Sequence, residues 1–246
     1  MSTRGLAGAL ILGVAVAGCG ATSTVRSAPP RPRSTLPVAP PRPVQTPKHP
    51  RTWLEVGDVN GDGNSDRARI LNLRHPSSVS SIFGWTYRLE VRLSTGGEVS
   101  ATFAGDPPDP GSAFYFNTHV IGGSDVNGDG RREVFVQVAH GASTAVVSPF
   151  RLVDARLVQI SEGGSPTLLD VNGSVTHLDG FSCHPPVLVI WGETATADGK
   201  AYRQTVGRYR ISDTALVLLS TAHRRVPAAR AQDGDFIRCT GLPGAA

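Results

Sequence analysis

Aromatic residues, lysines and long apolar runs are all scarce in this chain of 246 residues. Aromatic residues make up 6% of it, and two of its 24 basic residues are lysines. No apolar run reaches the roughly 18 residues that a helix needs to cross a bilayer. The sequence also has no HExxH pair of histidines and no GxSxG serine. These absences argue against a polytopic membrane protein and leave no recognisable catalytic centre.

Glycine and proline, in contrast, are abundant, at 28 and 19 residues. Both residues interrupt helices, and the sequence shows no long helical pattern, so we expect an all-β fold. Residues 85–93 alternate apolar and polar side chains with a period of two, which predicts a strand with one apolar face. Asp198-Gly199 predicts a hairpin turn. Further strands are predicted at 98–104, 117–123, 144–150, 152–160, 186–192, 201–211 and 214–221.

Positive charge is concentrated before residue 52. The whole chain has a formal charge of +4, but residues 52–246 hold 17 basic and 20 acidic residues, a net charge of −3. No stretch of this part combines a basic stripe with interleaved aromatic residues, as a nucleic-acid-binding surface would. We therefore expect no nucleic-acid partner.

The N-terminus has the features of an export signal. Arg4 precedes an apolar segment, 6–17, that is too short for a spanning helix. The segment ends at Val16-Ala17-Gly18-Cys19, which resembles the bacterial lipobox, in which the cysteine receives a diacylglyceryl group. The resemblance implies that residues 1–18 are a signal peptide and that a lipid on Cys19 anchors the protein to the outer face of the cell membrane. The alternative is an ordinary signal peptide with a chance cysteine.

Residues 19–51 are expected to form a tether. They contain nine of the 19 prolines. Proline lacks a backbone donor, so this segment can neither join a sheet nor continue a helix. A polyproline stalk extending by roughly 3.1 Å per residue would lift the folded part, 52–246, away from the membrane. A docking peptide for a proline-reading domain is the alternative.

An internal repeat carries the strongest chemical signal. The hexapeptide DVNGDG occurs at 58–63 and again, unchanged, at 125–130. Oxygen side chains at alternate positions of a tight loop converge on one point, and calcium takes roughly six to eight oxygen ligands. Gly63 and Gly130 permit the positive φ that such a turn needs. The predicted ligands of two calcium ions are Asp58, Asn60, Asp62, Asn64 and Asp66 in the first loop, and Asp125, Asn127, Asp129, Arg131 and Glu133 in the second. Asn64 and Arg131 would contribute backbone carbonyl oxygens.

The residues after each hexapeptide separate two kinds of calcium loop. An EF-hand needs an acid at loop position 12, where this chain has Arg69 and Val136. The acids lie instead at position 9, and the sequence VFVQV that follows the second loop is typical of a strand. A loop of this kind running into a strand resembles the FG-GAP or VCBS-type repeat of integrin-like β-propellers. The resemblance implies a β-propeller-like fold in which each loop joins two strands of a blade and holds calcium.

The chain is short for such a propeller. Residues 52–246 suffice for about three or four blade-like sheets. A third candidate loop, 170–175, has serine and valine where the motif needs aspartate and glycine, and we expect it to bind no metal. Closure is left open between a small ring of short blades, an open stack of sheets, and closure with another chain.

Cys183 and Cys239 remain once Cys19 is assigned to the lipid. An even pair of cysteines in an oxidising compartment predicts a disulfide between them, which would pin the C-terminal segment.

The expected function is that of a calcium-stabilised binding or interaction module of the cell envelope. Its partner would be an envelope protein or a glycan. One alternative is a hydrolase of envelope polymers that uses loop carboxylates such as Asp106, Asp109 or Asp179. The other alternative is a purely structural envelope protein.

Overall fold

The computed structural model describes residues 52–74, 85–106, 118–231 and 236–243. The signal peptide, Cys19 and the tether predicted at 1–51 lie outside the described residues, as does Asp109. The all-β prediction is confirmed within them, where the single helix, α1 (Ala228–Ala231), lasts one turn. No helix in the described part of the chain is long and apolar enough to cross a membrane.

The first sheet is a four-stranded antiparallel meander. Its strands are β1 (Leu54–Gly57), β2 (Asp66–Arg74), β3 (Trp85–Arg92) and β4 (Glu98–Gly105). The first hexapeptide joins β1 to β2. Strand β3 confirms the strand predicted at 85–93, and its alternating Tyr87, Leu89 and Val91 are fully buried.

The second sheet has twelve strands, and the first four repeat this meander around the second hexapeptide. They are β5 (His119–Ser124), β6 (Glu133–His140), β7 (Thr144–Val153) and β8 (Arg156–Gln159). Antiparallel pairing runs from β5 to β6, β7 and β8, and the hexapeptide joins β5 to β6. The strands predicted at 144–150 and 152–160 are therefore one long strand and one short one, divided by a turn in which Asp154 and Ala155 have positive φ.

Eight further strands complete this sheet. They are β9 (Ser161–Glu162), β10 (Ser165–Pro166), β11 (Leu169–Ser174), β12 (His177–His184), β13 (Val187–Ala195), β14 (Ala201–Ser212), β15 (Ala215–Pro227) and β16 (Ile237–Arg238). The strand order is β10-β9-β15-β14-β13-β12-β11-β7-β6-β5, while β8 pairs with β7 and β16 with β12. The hairpin predicted at Asp198-Gly199 joins β13 to β14 and is confirmed. The segment 170–175, predicted as a third loop, is mostly strand β11, because its first residues pair with β7.

Strand β6 lies between two hydrophobic cores, which explains why consecutive residues, 134–136, are apolar and fully buried. Val134, Val136 and Val138 belong to the core shared with the first sheet. Phe135, on the other face, belongs to the core formed with β11, β12 and β13 and stacks on Phe181, with ring centroids 5.7 Å apart. The described strands form two open sheets without a closed barrel or propeller, so the propeller-like arrangement stays a prediction.

A disulfide joins Cys183, near the end of β12, to Cys239. The two Cα atoms are 4.8 Å apart, and the predicted pairing is confirmed. Strand β16 runs parallel to β12, with Ile237 opposite Phe181. The bond therefore fixes the C-terminal segment against β12.

Candidate metal loops and binding groove

The two hexapeptide loops fold alike because their first aspartates accept hydrogen bonds from backbone N–H groups within the loop. Asp58 Oδ1 accepts from Gly61 at 2.6 Å, and its Oδ2 accepts from Gly63 at 2.7 Å. The equivalent bonds to Asp125 measure 2.7 and 3.0 Å. The four glycines that donate have φ values between 75° and 85°, as expected for a turn that a Cβ would oppose.

The next positions repeat this pattern. Asn60 Oδ1 accepts from the N–H of Asp62 at 3.0 Å, and Asp62 Oδ1 accepts from the N–H of Asn64 at 2.7 Å. In the second loop the N–H groups of Asp129 and Arg131 donate the matching bonds, at 3.3 and 3.0 Å. The sequence repeat is therefore also a repeat of backbone conformation.

The acid at the ninth position is built into each loop in the same way. Asp66 is 1% exposed, and its Oδ2 accepts from the N–H of Val59 at 2.8 Å. Glu133 is fully buried, and its Oε2 accepts from the N–H of Val126 at 2.9 Å. Each bond fixes one carboxylate oxygen and leaves the other oxygen to face a different partner.

A serine faces the last two acids of the first loop. The N–H of Ser94 donates to Asp66 Oδ1 at 2.7 Å, and its hydroxyl donates to Asp62 Oδ2 at 2.5 Å. The Ser94 bond and a second one from Asn60 lower the pKa of Asp62 to about 2. No ion pair in the described part of the chain involves the three acids of this loop. The three carboxylates of the first loop thus face neutral hydrogen-bond donors, such as Ser94 and backbone N–H groups.

An arginine faces the same two positions of the second loop. Arg151 Nη2 donates to Asp129 Oδ2 at 2.5 Å, and Nη1 lies 3.4 Å from Glu133 Oε1. The side chains of Arg151 and Glu133 are 14% and 1% exposed. Burial raises the pKa of Glu133 to about 7, against the opposing effects of the Val126 N–H and of Arg151. Glu133 Oε1 has no hydrogen-bond partner, so the nearby positive charge of Arg151 is what offsets the cost of burying this oxygen.

The first loop suits calcium by its donor chemistry. Carboxylate, amide and carbonyl oxygens are the ligands that this hard cation prefers. In the geometry described, no group of three or more His, Cys, Asp or Glu side chains is placed to hold a metal ion. In the second loop a guanidinium already lies between Asp129 and Glu133. The two loops therefore have the same backbone conformation but differ in the charge of the side chain that faces their acids.

A groove of about 430 Å³ opens at the other end of the second sheet. Strands β13, β14 and β15 form its floor, where the register places Glu193, Gln204 and Arg224 in one row. Trp191 and Phe236 also line it, with ring centroids 5.9 Å apart. The arginines that line the groove are Arg224, Arg225, Arg230 and Arg238.

A buried carboxylate lies in the floor of this groove. Glu193 is 3% exposed, and its Oε1 accepts a hydrogen bond from Gln204 Nε2. Gln204 Oε1 in turn accepts from Arg224 Nε. Burial raises the pKa of Glu193, while Gln204 and Arg224 lower it to a smaller extent. Glu193 Oε2 is buried without a hydrogen-bond partner, which leaves one acceptor atom unused beside the arginines.

Trp191 can lie across β12 because its cross-strand partner is Gly180. A Cβ at Gly180 would stand 2.4 Å from the indole ring. On the other side of β12, the N–H of Phe181 donates to the carbonyl oxygen of Phe236 at 2.9 Å. The absence of a Cβ at Gly180 makes room for Trp191, and the disulfide holds the segment that contains Phe236. Together these two features place the aromatic rings against each other.

Two acids named for the hydrolase alternative lie away from this groove. Asp106 Oδ2 accepts from the N–H of His140 at 2.9 Å. Asp179 lies on strand β12 and not in a loop as predicted, and its Oδ2 is 2.7 Å from His177 Nε2. Neither carboxylate lines the groove.

Reasoning from the sequence missed the residues that distinguish these sites. Trp191 lies on the strand predicted at 186–192, but Glu193 lies just beyond the predicted end, because β13 continues to Ala195. Ser94, Arg151 and Arg224 gave no signal, because their contacts depend on the register of strands that are distant in sequence.

Comparison of the chain with protein-family models, with curated proteins and with solved structures gave no match in any of the three.

Proposed function

We propose that this chain is a calcium-stabilised binding module, held at the outer face of the cell membrane by a lipid on Cys19. The lipobox-like segment supports the location, and the first hexapeptide loop supports the calcium site. The groove beside Trp191 is the observation that carries the binding role, because it gathers an aromatic ring, a buried acceptor and four arginines in one concave site.

An envelope glycan with acidic groups is the ligand that suits this groove. The apolar face of a sugar ring can pack on the indole of Trp191, which lines the groove. The guanidinium of Arg224 matches a carboxylate or phosphate in shape as well as charge. The groove also has the size of a small-ligand site, roughly 300–1,000 Å³, whereas a protein partner needs a broader face.

We propose in addition that the two hexapeptide units are blade-like sheets of the FG-GAP or VCBS type. Each unit, β1–β4 and β5–β8, is an antiparallel meander, and each places DVNGDG between its first and second strands. The equivalent hydrogen bonds in the two loops support common descent of the units. This organisation is propeller-like without requiring a closed ring.

A hydrolase of envelope polymers is the second candidate, since the raised pKa of Glu193 would suit a general acid. Such enzymes use two carboxylates about 5–10 Å apart. Among the described residues that line the groove, Glu193 is the sole acid, so a second carboxylate would have to come from elsewhere in the chain. We therefore place binding before hydrolysis.

Binding to immobilised envelope glycans tests the proposal. The mature protein in detergent should bind acidic glycans in preference to neutral ones. Arg224→Gln and Trp191→Ala should each weaken binding by about tenfold or more, because a charged hydrogen bond or a buried aromatic contact is lost. Arg156→Gln removes the same charge from an exposed position on β8 and should bind as the wild type does. Unchanged binding by both folded groove variants would refute the groove as the binding site.

A further inference from the structure

The two loops differ in the group that faces their last two acids, although their hexapeptides are identical. The last two acids of the first loop are bridged by Ser94, through its N–H and its hydroxyl. The corresponding acids of the second loop, Asp129 and Glu133, are bridged by the guanidinium of Arg151. A neutral group thus stands in one loop where a full positive charge stands in the other.

Strand register explains how this difference arises. Val134 on β6 pairs with Phe150 on β7, and the next step of the ladder brings Arg151 beside Glu133. In the first sheet Arg67 pairs with Arg92, and the next step brings Leu93 beside Asp66. Leu93 packs against the hydrophobic core and contributes no charge. The first repeat therefore has no arginine at the position equivalent to Arg151, which in the second repeat faces the acids of the loop.

We infer that Arg151 is the built-in cation of the second loop, so that this chain binds calcium at the first loop alone. The guanidinium contacts Asp129 and Glu133, two of the three acids of the loop, and a calcium ion could reach these two only by expelling it. Its side chain is largely buried, as is that of Glu133, so expulsion would separate two buried opposite charges. In the described part of the chain, none of the three acids of the first loop forms an ion pair.

This inference shares with the proposed function the calcium ion of the first loop, but the role of Arg151 stands independently of it. Calcium titration calorimetry on the mature protein separates the two. The wild type should bind one calcium ion, Asp62→Asn none, and Asp129→Asn one. Arg151→Met frees the second loop and should bind two. Two ions in the wild type would overturn the inference.

Thermal melts in chelator test Arg151 without any metal. Arg151→Met should melt roughly 10 °C lower than the wild type, because it leaves the buried carboxylate of Glu133 without its charge partner. Millimolar calcium should restore a large part of this loss, since the ion takes the place of the guanidinium. Arg156→Met, which removes an exposed arginine from β8, should melt as the wild type does both in chelator and in calcium.

The outcomes distinguish the two claims. If the wild type binds no calcium but Arg151→Met melts lower in chelator, the calcium proposal fails and the role of Arg151 stands. If Arg151→Met melts as the wild type does in chelator, Arg151 is not the cation of the loop. Should Arg151→Met fail to fold, Arg151→Lys keeps the charge and should fold and bind one calcium ion; two ions there would overturn the inference.

Discussion

The backbone N–H of Arg132, just after the second hexapeptide, donates a hydrogen bond of 2.7 Å to the carbonyl oxygen of Asp58 in the first. Arg132 Nη1 also donates to the carbonyl oxygen of Gly123 at 3.1 Å. Its side chain crosses Gly57, where a Cβ would stand 2.4 Å from it. The two candidate metal loops are therefore neighbours in space, and the contact between them joins the first sheet to the second.

Gly123 permits the close approach of β5 and β1 at this junction. A Cβ there would lie 2.1 Å from the carbonyl oxygen of Val56, and a backbone atom in a strand cannot easily move aside. We expect Gly123→Ala to lower the free energy of unfolding by about 1–3 kcal/mol, as overpacking does. Gly141→Ala is the control, because its nearest neighbour would be 3.6 Å away. Urea denaturation measures the stability of both variants. Equal denaturation midpoints for Gly123→Ala and Gly141→Ala would contradict the close packing at Gly123.

Calcium should stabilise the protein through the first loop. Asp58, Asp62 and Asp66 repel one another, and an ion that binds only the folded loop relieves this repulsion. Extracellular sites bind at about 10⁻⁴–10⁻³ M, so millimolar calcium should add roughly 1–2 kcal/mol and raise the melting temperature by about 2–8 °C. Magnesium should do less, because it demands a tighter octahedral geometry. Asp62→Asn should lose most of the shift.

Asp129→Asn is the matched change in the second loop. Because it removes a partner of Arg151, it should lower the melting temperature by a similar amount in calcium and in chelator. Differential scanning fluorimetry of both variants measures these shifts. A wild-type melt that ignores calcium would leave both loops as metal-free turns.

Strands with one buried face could be predicted from the sequence, and arrangements that depend on register could not. Tyr87, Leu89 and Val91 alternate with polar residues, so β3 could be predicted from this period of two. Strand β6 is buried on both faces, and only its apolar run was visible. The order of strands in the second sheet follows from packing between distant segments, which no local pattern encodes.

In the candidate sites too, contacts within a loop could be predicted from the sequence, whereas contacts that depend on strand register could not. The hexapeptides predicted both loops and their aspartates, because those hydrogen bonds lie within a few residues of chain. The partner of Glu133 stands eighteen residues later, on a strand whose register is set by the core around Phe150. Two loops that look equivalent in sequence therefore differ in charge once folded.

The disulfide should support both stability and the groove. In the chain-entropy model, a bond between cysteines 56 residues apart contributes about 4 kcal/mol. A double variant, Cys183→Ser with Cys239→Ser, should lose up to that amount in urea denaturation. It should also bind glycan more weakly, because the bond holds Phe236 beside Trp191. Non-reducing peptide mapping checks the bond itself, and free thiols at both positions would contradict it.

The proposed membrane anchor depends on Cys19. Cys19→Ala removes the thiol that would receive the diacylglyceryl group, so the variant should stay unprocessed or be released. Two acyl chains anchor stably because each buried methylene contributes about 0.8 kcal/mol. Detergent phase partitioning should place the wild type in the detergent phase and a released variant in the aqueous phase. Recovery of both in the aqueous phase would end the lipoprotein interpretation.

Glu193 should make stability depend on pH. Burial raises its pKa above the ordinary 4.5, so the folded state holds the proton more tightly than the unfolded state does. The stability that this provides is complete below about pH 4.5 and is lost as the pH rises through the higher pKa of the folded state. Glu193→Gln keeps an oxygen to accept from Gln204 and cannot ionise. The variant should therefore gain stability relative to the wild type as the pH rises.

Melting temperatures of the two proteins, measured in steps from about pH 4 to about pH 8, test this linkage. The variant and the wild type should differ by a constant amount at the acid end, and the difference should move in favour of the variant above it. Glu98→Gln, which replaces an exposed carboxylate on β4, should show no such change. A difference that does not change with pH would show that burial of Glu193 does not couple folding to its protonation.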